Sequence, residues 1–221
     1  KNVFDKFTIK TLFKLISQGF FDGLTSPYRI GKEANIFLAK KGEDQVIVKI
    51  YRLENCNFNT MYEYIRSDPR YLQLKRRKRK IIFAWVQREY RNLLKAREVI
   101  NVPTPHEFSN NILVMEMIGD YSPAPQLKDK YPEDPKDFFK RIIESTKKLY
   151  DHGLVHGDLS EFNILNHREK PYFIDFSQGT SSENLNSDRL LKRDIGNICR
   201  FFRKLKIEKD EEKIFKKIKE V

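Results

Sequence analysis

Apolar and polar residues follow two different periods in the first half of the chain. Near its start, apolar residues recur every three or four positions, which predicts an amphipathic helix over residues 8–19. Between residues 36 and 50, apolar and polar residues alternate on both sides of a Lys-Gly-Glu-Asp segment, as expected for two strands of a β-hairpin. The helical period returns over residues 80–100, and residues 112–117 have the composition of a further strand.

The second half of the chain begins with a long amphipathic helix. Asp134 is its expected N-cap, Pro135 its first residue and Gly153 its C-terminal stop. Short apolar segments predict strands after this helix, and longer amphipathic segments predict further helices. The strands are expected at about 154–156, 163–166 and 171–175, and the helices at 183–205 and 208–220. Strands with one helix, followed mostly by helices, indicate an α+β fold.

A connector that contains prolines separates the two halves. Residues 119–125 follow the last strand of the first half and show neither period. We therefore expect three parts, which are an N-terminal helical segment over 1–25, a first lobe over 26–118 and a second lobe over 119–221. The first lobe would contain the hairpin, the long helix and a loop at about 53–80, which is polar, aromatic and basic without a clear period.

Composition restricts the class of protein and its partners. The 221 residues are 39% hydrophobic, enough for a core, and the net charge of +12 favours polyanionic partners, although such a charge also serves solubility alone. Cys56 and Cys199 form no CxxC pair, so neither a zinc site nor a disulfide framework is expected. No apolar run approaches the roughly 18 residues of a membrane span, and no signal peptide is recognisable. We therefore expect a cytoplasmic protein with no membrane partner.

The segment 155–165 is the most informative about chemistry, with the sequence Val-His-Gly-Asp-Leu-Ser-Glu-Phe-Asn-Ile-Leu. Phosphoryl transfer needs a carboxylate near the attacking group and an oxygen ligand for the metal that binds the phosphates. Asp158 suits the first role and Asn163, on the same predicted loop, suits the second. Asp175, at the end of a predicted strand, is a further candidate ligand for Mg²⁺. The pattern therefore predicts a metal-dependent site.

A single lysine within an apolar strand supports the same chemistry. Lys49 lies in the sequence Val-Ile-Val-Lys-Ile, where a charge is costly unless it has a partner. In a kinase the partners are the α- and β-phosphates of ATP and a helix glutamate, for which Glu89 is the natural candidate. One strand earlier, the segment 31–35 offers a glycine and backbone N–H groups that could approach phosphates, which is a weak signal by itself.

Ordinary structural roles stay open for these residues. His156 is expected to pack and position its loop rather than to transfer a proton. The two aspartates and Asn163 could cap turns, and Lys49 could lie on an exposed strand edge. The order and spacing of the two loops nevertheless match the catalytic and metal-binding loops of protein kinases, with His-Gly-Asp in place of His-Arg-Asp and Asp-Phe-Ser in place of Asp-Phe-Gly.

Several segments together resemble the RIO kinases, the atypical protein kinases of ribosome maturation. The segment 31–34 resembles their phosphate loop, 85–93 their helix C and 156–165 their catalytic loop. The metal-binding segment, with Ser177 rather than proline, is similar to the Rio1 branch, as is the segment 191–202. The resemblance extends over nearly the whole chain, whose minimal length is similar to that of archaeal members.

The resemblance implies a two-lobed protein-kinase-like fold with a trimmed C-terminal lobe, and it implies that the loop at about 53–80 is mobile. It implies an atypical serine/threonine protein kinase and ATPase that binds ATP with Mg²⁺ or Mn²⁺ and autophosphorylates. Asp158 and Asp175 are implied to be catalytic, with Asp175 accepting the phosphoryl group transiently, and Asn163 and Asp175 are implied to bind the metal. The residues implied to bind the nucleotide are Gly31, Lys32, Glu33, Lys49, Glu89, Met115, Glu116, Ile118, Ser160 and Glu161.

By the same resemblance, Glu116 and Ile118 would present backbone groups to adenine, with Met115 at the back of the pocket. One departure from the family is clear. Its phosphate loop usually reads Ser-Thr-Gly-Lys-Glu-Ala, and here Arg29 and Ile30 replace the two hydroxyl residues. Two groups that could contact phosphate are therefore lost, and the charge of Arg29 could compensate for them.

The resemblance also implies a partner. It implies action on the maturing small ribosomal subunit, with its RNA or assembly factors as partners, and the basic run 75–80 would contact RNA phosphates or form only a solvated surface. Two other functions stay open, a small-molecule kinase of the aminoglycoside or choline type and a catalytically silent RNA-binding scaffold. A larger C-terminal lobe would favour the first, and loss of Lys49, Asp158 or Asp175 would favour the second, but the sequence shows neither.

Overall fold

The computed structural model describes residues 4–54 and 56–220. Contacts within the chain define two units. The first extends to Tyr90 and resumes over Thr104–Met117, and the second consists of Arg91–Pro103 and the residues from Ile118 onward. No helix in the described ranges combines the length and the apolar character that crossing a membrane requires.

The first unit is built on a five-stranded antiparallel sheet. Its strands are β1 (Gly23–Ile30), β2 (Ala34–Lys41), β3 (Asp44–Tyr51), β4 (Pro105–Ser109) and β5 (Ile112–Glu116). They lie side by side in the order β1-β2-β3-β5-β4. The predicted hairpin is confirmed as β2 and β3. The sequence pattern does not reveal β1 and β4, because these edge strands contain proline and polar residues that interrupt the alternation.

The N-terminal helix α1 (Lys6–Ser17) forms where the sequence predicts it. Asp5 caps it by accepting a hydrogen bond from a backbone N–H of its first turn at 2.8 Å. Gly19 follows its last turn with a φ of 76°, a conformation that favours glycine. Because β1 already begins at Gly23, the helical segment is shorter than the predicted 1–25.

Alternation along β3 places its side chains on opposite faces of the sheet. Val48 is paired with Phe37 and Val114, and these residues belong to the core cluster that α1 covers with its apolar stripe. Lys49, the next residue of β3, points to the other face. One face of the sheet therefore carries this core, and the lysine is turned away from it.

Residues 53–80 contain a helix in a range where the sequence analysis expects a loop. This helix, α2 (Phe58–Arg66), buries Met61 and Ile65 on one face. A 3₁₀ helix follows at Pro69–Tyr71. The sequence predicts a loop here, whereas the structure forms a short helix of nine residues that buries two side chains.

The long helix α3 (Lys78–Ala96) corresponds to the helix predicted over 80–100, and it begins inside the basic run. It buries two charged residues, Arg88 and Glu89, each 0% exposed when the whole residue is considered. Arg88 lies 3.6 Å from the Asp68 carboxylate, so the segment after α2 is linked to α3 by an ion pair. Charged residues therefore form part of the interior of the first unit.

The second unit is mostly helical. Its helices are α4 (Pro135–Asp151), α5 (Ser187–Arg203) and α6 (Glu211–Lys219), and its short strands are β6 (Leu154–Val155), β7 (Ile164–His167), β8 (Lys170–Phe173) and β9 (Thr180–Ser181). A short 3₁₀ helix lies at Phe176–Gln178. All of these except β9 and the 3₁₀ helix are predicted to within a few residues. Asp134 caps α4 as predicted.

Two short ladders hold the loops of the second unit. β6 pairs with β9, and β7 pairs with β8 in an antiparallel hairpin in which Ile164 lies opposite Phe173. Just beyond this hairpin, the Ile174 N–H donates to the Asn163 carbonyl at 3.0 Å. Asn163 therefore lies opposite Ile174, and Asp175 is the next residue along the chain.

Candidate active site

Lys49 and Glu89 form a buried ion pair in the first unit. The Lys49 Nζ lies 2.8 Å from Glu89 Oε1, and the two side chains are 7% and 1% exposed. Tyr51 donates from its hydroxyl to Glu89 Oε2 at 2.6 Å, so both carboxylate oxygens are hydrogen-bonded. Such additional hydrogen bonds help to offset the free-energy cost of removing water from a buried ion pair. The pairing expected from the sequence is present, and it holds the ammonium group of Lys49 in one position.

The turn between β1 and β2 requires glycine. The Gly31 N–H donates to the Ala34 carbonyl at 3.0 Å, and a Cβ at position 31 would lie 2.6 Å from that carbonyl oxygen. Lys32 and Glu33 lie exposed at the tip of the turn, and the Glu33 carbonyl accepts the Arg52 N–H at 2.9 Å. The residues predicted to bind phosphate therefore form an exposed turn whose backbone is anchored to the end of β3.

Met115 and Glu116 end β5 in the first unit. Met115 is buried, whereas Glu116 uses its carboxylate to accept the Thr104 N–H at 2.9 Å. In the second unit, Ile118 accepts the Ala124 N–H at 2.7 Å through its carbonyl. Because the side chain of Glu116 is hydrogen-bonded to the protein, its predicted contact with adenine depends on its backbone groups.

The loop between β6 and β7 begins with a buried histidine. His156 is 2% exposed, its Nε2 lies 3.0 Å from the Ile174 carbonyl, and its Nδ1 accepts the Asp158 N–H at 3.2 Å. Burial lowers the pKa of His156 to about 4, so the ring is neutral near pH 7 and its hydrogen bonds assign the proton to Nε2. The histidine therefore joins this loop to the segment before Asp175, which is the positioning role expected from the sequence.

A carboxylate from α5 binds the backbone of the same loop. Asp194 is 1% exposed and accepts the N–H groups of Gly157 at 2.8 Å and Leu159 at 2.9 Å. Burial raises the pKa of Asp194 to about 7. The neighbouring Arg193 donates to the Gly157 carbonyl. The backbone on both sides of Asp158 is therefore anchored by a residue to which the sequence analysis assigns no role.

Asn163 is hydrogen-bonded to Asp158. Its Nδ2 donates to the Asp158 carbonyl at 2.8 Å and to Asp158 Oδ2 at 3.2 Å. Because the nitrogen of the amide faces Asp158, its oxygen is at the opposite end of the group and can accept a further bond. The structure therefore brings Asp158 and Asn163 together. The side-chain oxygen of Asn163 can still accept a bond, as expected for a metal ligand.

Asp175 has a left-handed backbone conformation, with φ of 64° and ψ of 68°. For a residue other than glycine this costs roughly 1–3 kcal/mol, and such residues cluster at functional sites. The Ser177 hydroxyl donates to Asp175 Oδ1 at 2.7 Å. Together with the bond between Ile174 and Asn163, these constraints place the carboxylate next to the end of the β7–β8 hairpin.

The donor groups of the second unit fit a hard divalent cation. They are the carboxylates of Asp158 and Asp175 and the amide oxygen of Asn163. Over residues 4–54 and 56–220, no group of three or more His, Cys, Asp or Glu side chains is arranged to hold a metal ion. A few protein oxygens, completed by phosphate oxygens and water, suit Mg²⁺, which does not need a cage built from protein alone.

Ser160 and Glu161 contribute backbone groups to the loop. The Ser160 carbonyl accepts the Asn163 N–H at 2.9 Å, and the Glu161 carbonyl accepts the Lys128 N–H at 3.2 Å. These bonds shape the turn before β7. Their implied part in nucleotide binding stays a prediction.

The chain is similar to known proteins along most of its length. The family model of the RIO domain matches residues 35–214. The chain is 45% identical to the RIO-type serine/threonine-protein kinase Rio1 of Methanocaldococcus jannaschii, over 98% of this chain and 75% of that relative. It is 40% identical to the protein of the same name from Thermoplasma acidophilum, over 83% of this chain and 98% of that relative.

A solved structure supports the fold. The chain is similar to the Rio2 kinase of Chaetomium thermophilum in its ADP/Mg²⁺-phosphoaspartate complex, with a TM-score of 0.71 and 22% identity over 93% of this chain. The chain spans 64% of the length of that structure. At this identity the likeness concerns the fold alone, and it confirms the α+β, protein-kinase-like fold expected from the sequence.

Proposed function

Because the chain belongs to the RIO family of serine/threonine protein kinases, in its Rio1 branch, we propose that it transfers the γ-phosphate of ATP to protein hydroxyls, its own included, and also hydrolyses ATP. Membership of this family argues against a small-molecule kinase and against a silent RNA-binding scaffold. The residues that carry out the reaction, the metal and the partner are assigned here as proposals.

The hydrogen bonds between Asn163 and Asp158 are the main support for the choice of Asp158 as the catalytic base. They hold the Asp158 carboxylate in one orientation, so we assign Asp158 to accept the proton of the attacking hydroxyl and to orient it. His156 is unsuited to this role, because both of its ring nitrogens are hydrogen-bonded to the backbone and its pKa is lowered to about 4 by burial. A carboxylate is therefore the base in this loop.

We assign Lys49 to the α- and β-phosphates of ATP. Its ammonium group is buried, so its charge acts through a medium of lower dielectric constant than water, and Glu89 and Tyr51 keep it in place. The N–H groups of the turn at Gly31 are assigned to the phosphates as well. Asn163 and Asp175 would hold Mg²⁺ or Mn²⁺, which would neutralise charge on the phosphate oxygens.

We further propose that Asp175 accepts the phosphoryl group transiently. A carboxylate oxygen would bond to the γ-phosphorus while the bond between that phosphorus and ADP breaks, and water would then release phosphate and restore the carboxylate. Two observations support this step. The Ser177 hydroxyl orients one oxygen of Asp175, and the similar Rio2 structure is of a phosphoaspartate complex with ADP and Mg²⁺.

Replacement of the two aspartates tests these roles separately. In Asp158→Asn we expect autophosphorylation to fall about 10²-fold or more, because the base is lost, while ATP affinity stays near the wild-type value. In Asp175→Asn we expect magnesium-dependent ATP affinity to fall about tenfold or more and the hydroxylamine-sensitive phosphorylated product to disappear. Incorporation of labelled phosphate and titration with a fluorescent ATP analogue, with and without chelator, measure both effects.

Asp151→Asn is the matched control, because it removes an exposed carboxylate at the end of α4 in the same unit. Both readouts should stay within about twofold of wild type, as expected for a surface substitution. Undiminished autophosphorylation in Asp158→Asn would refute the assignment of the base. Undiminished magnesium-ATP affinity in Asp175→Asn would refute the assignment of the metal ligand.

We propose the maturing small ribosomal subunit, through its RNA or assembly factors, as the partner of this kinase, which would place it in the cytoplasm. Two features support an RNA contact. The net charge is +12, and the basic side chains at 75–80 are exposed, with no ion-pair partner among the described residues. The first turn of α3 also lacks acidic residues. Salt-dependent binding to a small-subunit RNA fragment would test the contact.

A further inference from the structure

A groove in the second unit lies outside the candidate active site. It is formed by α4, by the segment that joins α5 to α6, and by α6. Its volume of about 480 Å³ is within the roughly 300–1,000 Å³ of pockets that hold ligands. None of the residues that line it belongs to the loop of Asp158 or to the segment of Asp175.

Apolar side chains form the floor of this groove. Phe139 and Ile207 are buried, whereas Ile143 and Ile214 are partly exposed. Ile143 is adjacent to the fully buried Ile142 in α4, so the apolar surface of this helix extends beyond the part that the second unit covers. An apolar ligand group could therefore be removed from water here without any rearrangement of the core.

Lysines form the rim of the groove. They are Lys136, Lys140, Lys206, Lys209 and Lys217, and the acidic residues that line it are Glu144 and Glu208. Within residues 4–54 and 56–220, only one of these lysines has an ion-pair partner, Lys140, whose Nζ lies 3.8 Å from Glu144. Both side chains of that pair are exposed, so it contributes little stability. The rim therefore carries an excess of positive charge.

Two of these lysines occupy positions that are unfavourable for the isolated fold. Lys136 lies in the first turn of α4, where the helix dipole disfavours a cation, and one turn before the like-charged Lys140. Lys206 has a φ of 61° in the turn that ends α5, a position that glycine usually takes. An anionic partner would offset the repulsion between Lys136 and Lys140.

We propose that this groove binds an acidic, amphipathic peptide segment of a protein partner. Its carboxylates would pair with the lysines of the rim, and one or two of its apolar side chains would cover Ile143 and Ile214. A nucleic acid would supply phosphates but no aliphatic side chain for the floor, so a peptide fits better. The net charge of +12 would accelerate association with an acidic partner. This interaction goes beyond the kinase reaction and does not depend on it.

A designed peptide tests the proposal directly. The probe is a fluorescein-labelled helix-forming peptide about twelve residues long, made of glutamate and leucine, with the leucines at i, i+3 and i+4 spacing. A second peptide has serine in place of every leucine. We expect saturable binding of the first peptide by fluorescence anisotropy and binding of the second that is about tenfold weaker or less, because the apolar contribution is lost.

Charge reversal in the groove provides the matched comparison. Lys140→Glu with Lys217→Glu should weaken binding of the leucine peptide about tenfold or more, and Ile143→Ser should weaken it without a change of charge. The control, Lys130→Glu with Lys216→Glu, reverses two exposed lysines that do not line the groove and should change binding less than about twofold. Autophosphorylation should persist in every variant and shows that each one is folded.

Several results would overturn the proposal. Equal binding of the leucine and serine peptides, or equal weakening by the two charge reversals, would show only unspecific attraction to a basic protein. A short RNA that displaces the leucine peptide from wild type and from the control variant, but does not bind to the groove variants, would assign the groove to nucleic acid. A concentration-dependent dimer in sedimentation experiments, abolished by the groove variants alone, would assign it to a second copy of the chain.

Discussion

Burial shifts the pKa values of two residues in opposite directions, and both residues are hydrogen-bonded to the loop that carries Asp158. It lowers the pKa of His156 to about 4 and raises the pKa of Asp194 to about 7, because loss of water disfavours the charged form of each. His156 therefore stays neutral from pH 5 upward. Asp194 changes its charge near neutrality, while it accepts two N–H groups from the loop that carries Asp158.

The titration of Asp194 makes stability depend on pH. Its pKa in the folded chain lies above the value of 3.8 for an unperturbed aspartate, so the folded state binds the proton more tightly than the unfolded state. The free energy of unfolding therefore falls as pH rises from about 4 to about 7. The contribution is fully present below the unfolded pKa and is lost as pH passes through the folded pKa.

Replacement of Asp194 by asparagine should remove this pH dependence. The amide would also place an NH₂ group against one of the two loop N–H groups, which costs roughly 1–3 kcal/mol. We therefore expect wild type to be more stable than Asp194→Asn at pH 5, with a smaller difference at pH 8, and we expect autophosphorylation to fall because the loop is loosened. Urea unfolding of both proteins at the two pH values measures the effect.

Asp188→Asn in the same helix is the control for this experiment. Asp188 is only partly buried and pairs with Lys219 at 2.7 Å on the surface, so its loss should change stability much less than Asp194→Asn does at pH 5, and equally at both pH values. If the difference between wild type and Asp194→Asn were the same at pH 5 and pH 8, the assigned titration would be wrong.

At the scale of elements, α2 is a short amphipathic helix of nine residues in a range where a loop is expected from the sequence. Met61 and Ile65 are 1% and 0% exposed, and most of the other residues of the helix are in contact with water. The segment after α2 adds a second attachment, because Asp68 pairs with the buried Arg88 of α3. Packing at a few positions therefore holds this helix, rather than a continuous apolar stripe.

Truncation of Met61 tests this account of α2. Met61→Ala removes a fully buried side chain, so we expect the free energy of unfolding to fall by roughly 2–5 kcal/mol, together with faster hydrogen exchange across Phe58–Arg66. Glu63→Ala, an exposed position on the same helix, should cost less than about 1 kcal/mol. Equal stability of the two variants would mean that α2 does not depend on its buried face.

At the scale of the whole molecule, excess positive charge is the property that bears on partners. The charge of +12 includes the exposed run at 75–80 in the first unit and the lysine rim of the groove in the second. The two surfaces differ in kind, because the lysines of the groove surround an apolar floor, whereas the run at 75–80 consists of six consecutive basic residues. We therefore assign the basic run to RNA phosphates and the groove to a peptide.

Salt dependence distinguishes a phosphate contact from general attraction. For a small-subunit RNA fragment, the double variant Arg77→Ala with Lys80→Ala should weaken binding and reduce the slope of log K against log salt by about 1 for each phosphate contact that is lost. Lys130→Ala with Lys216→Ala removes the same charge elsewhere and should leave the slope nearly unchanged. An identical slope in all three proteins would exclude the run at 75–80 as an RNA contact.

Interactions between residues close together in the sequence determined much of the local structure of this protein. Asp134 and Pro135 mark the start of α4, and alternation marks the β2–β3 hairpin, because capping and side-chain direction depend only on nearby residues. The spacing of Asp158 and Asn163 on one short loop is also a local property. Folding then forms the two hydrogen bonds from the Asn163 amide to Asp158.

Apart from the pairing of Lys49 with Glu89, which was expected from the sequence, the tertiary structure decided the contacts between distant residues described above. Asp194 accepts the Leu159 N–H from 35 positions away in the sequence, and Tyr51 donates to Glu89, 38 positions away. The residues around Asp194 and Tyr51 do not indicate these partners. The pKa of Asp194 and the burial of α2 have the same origin. Both depend on which groups exclude water from a side chain, and that is known only once residues far apart in sequence have packed together.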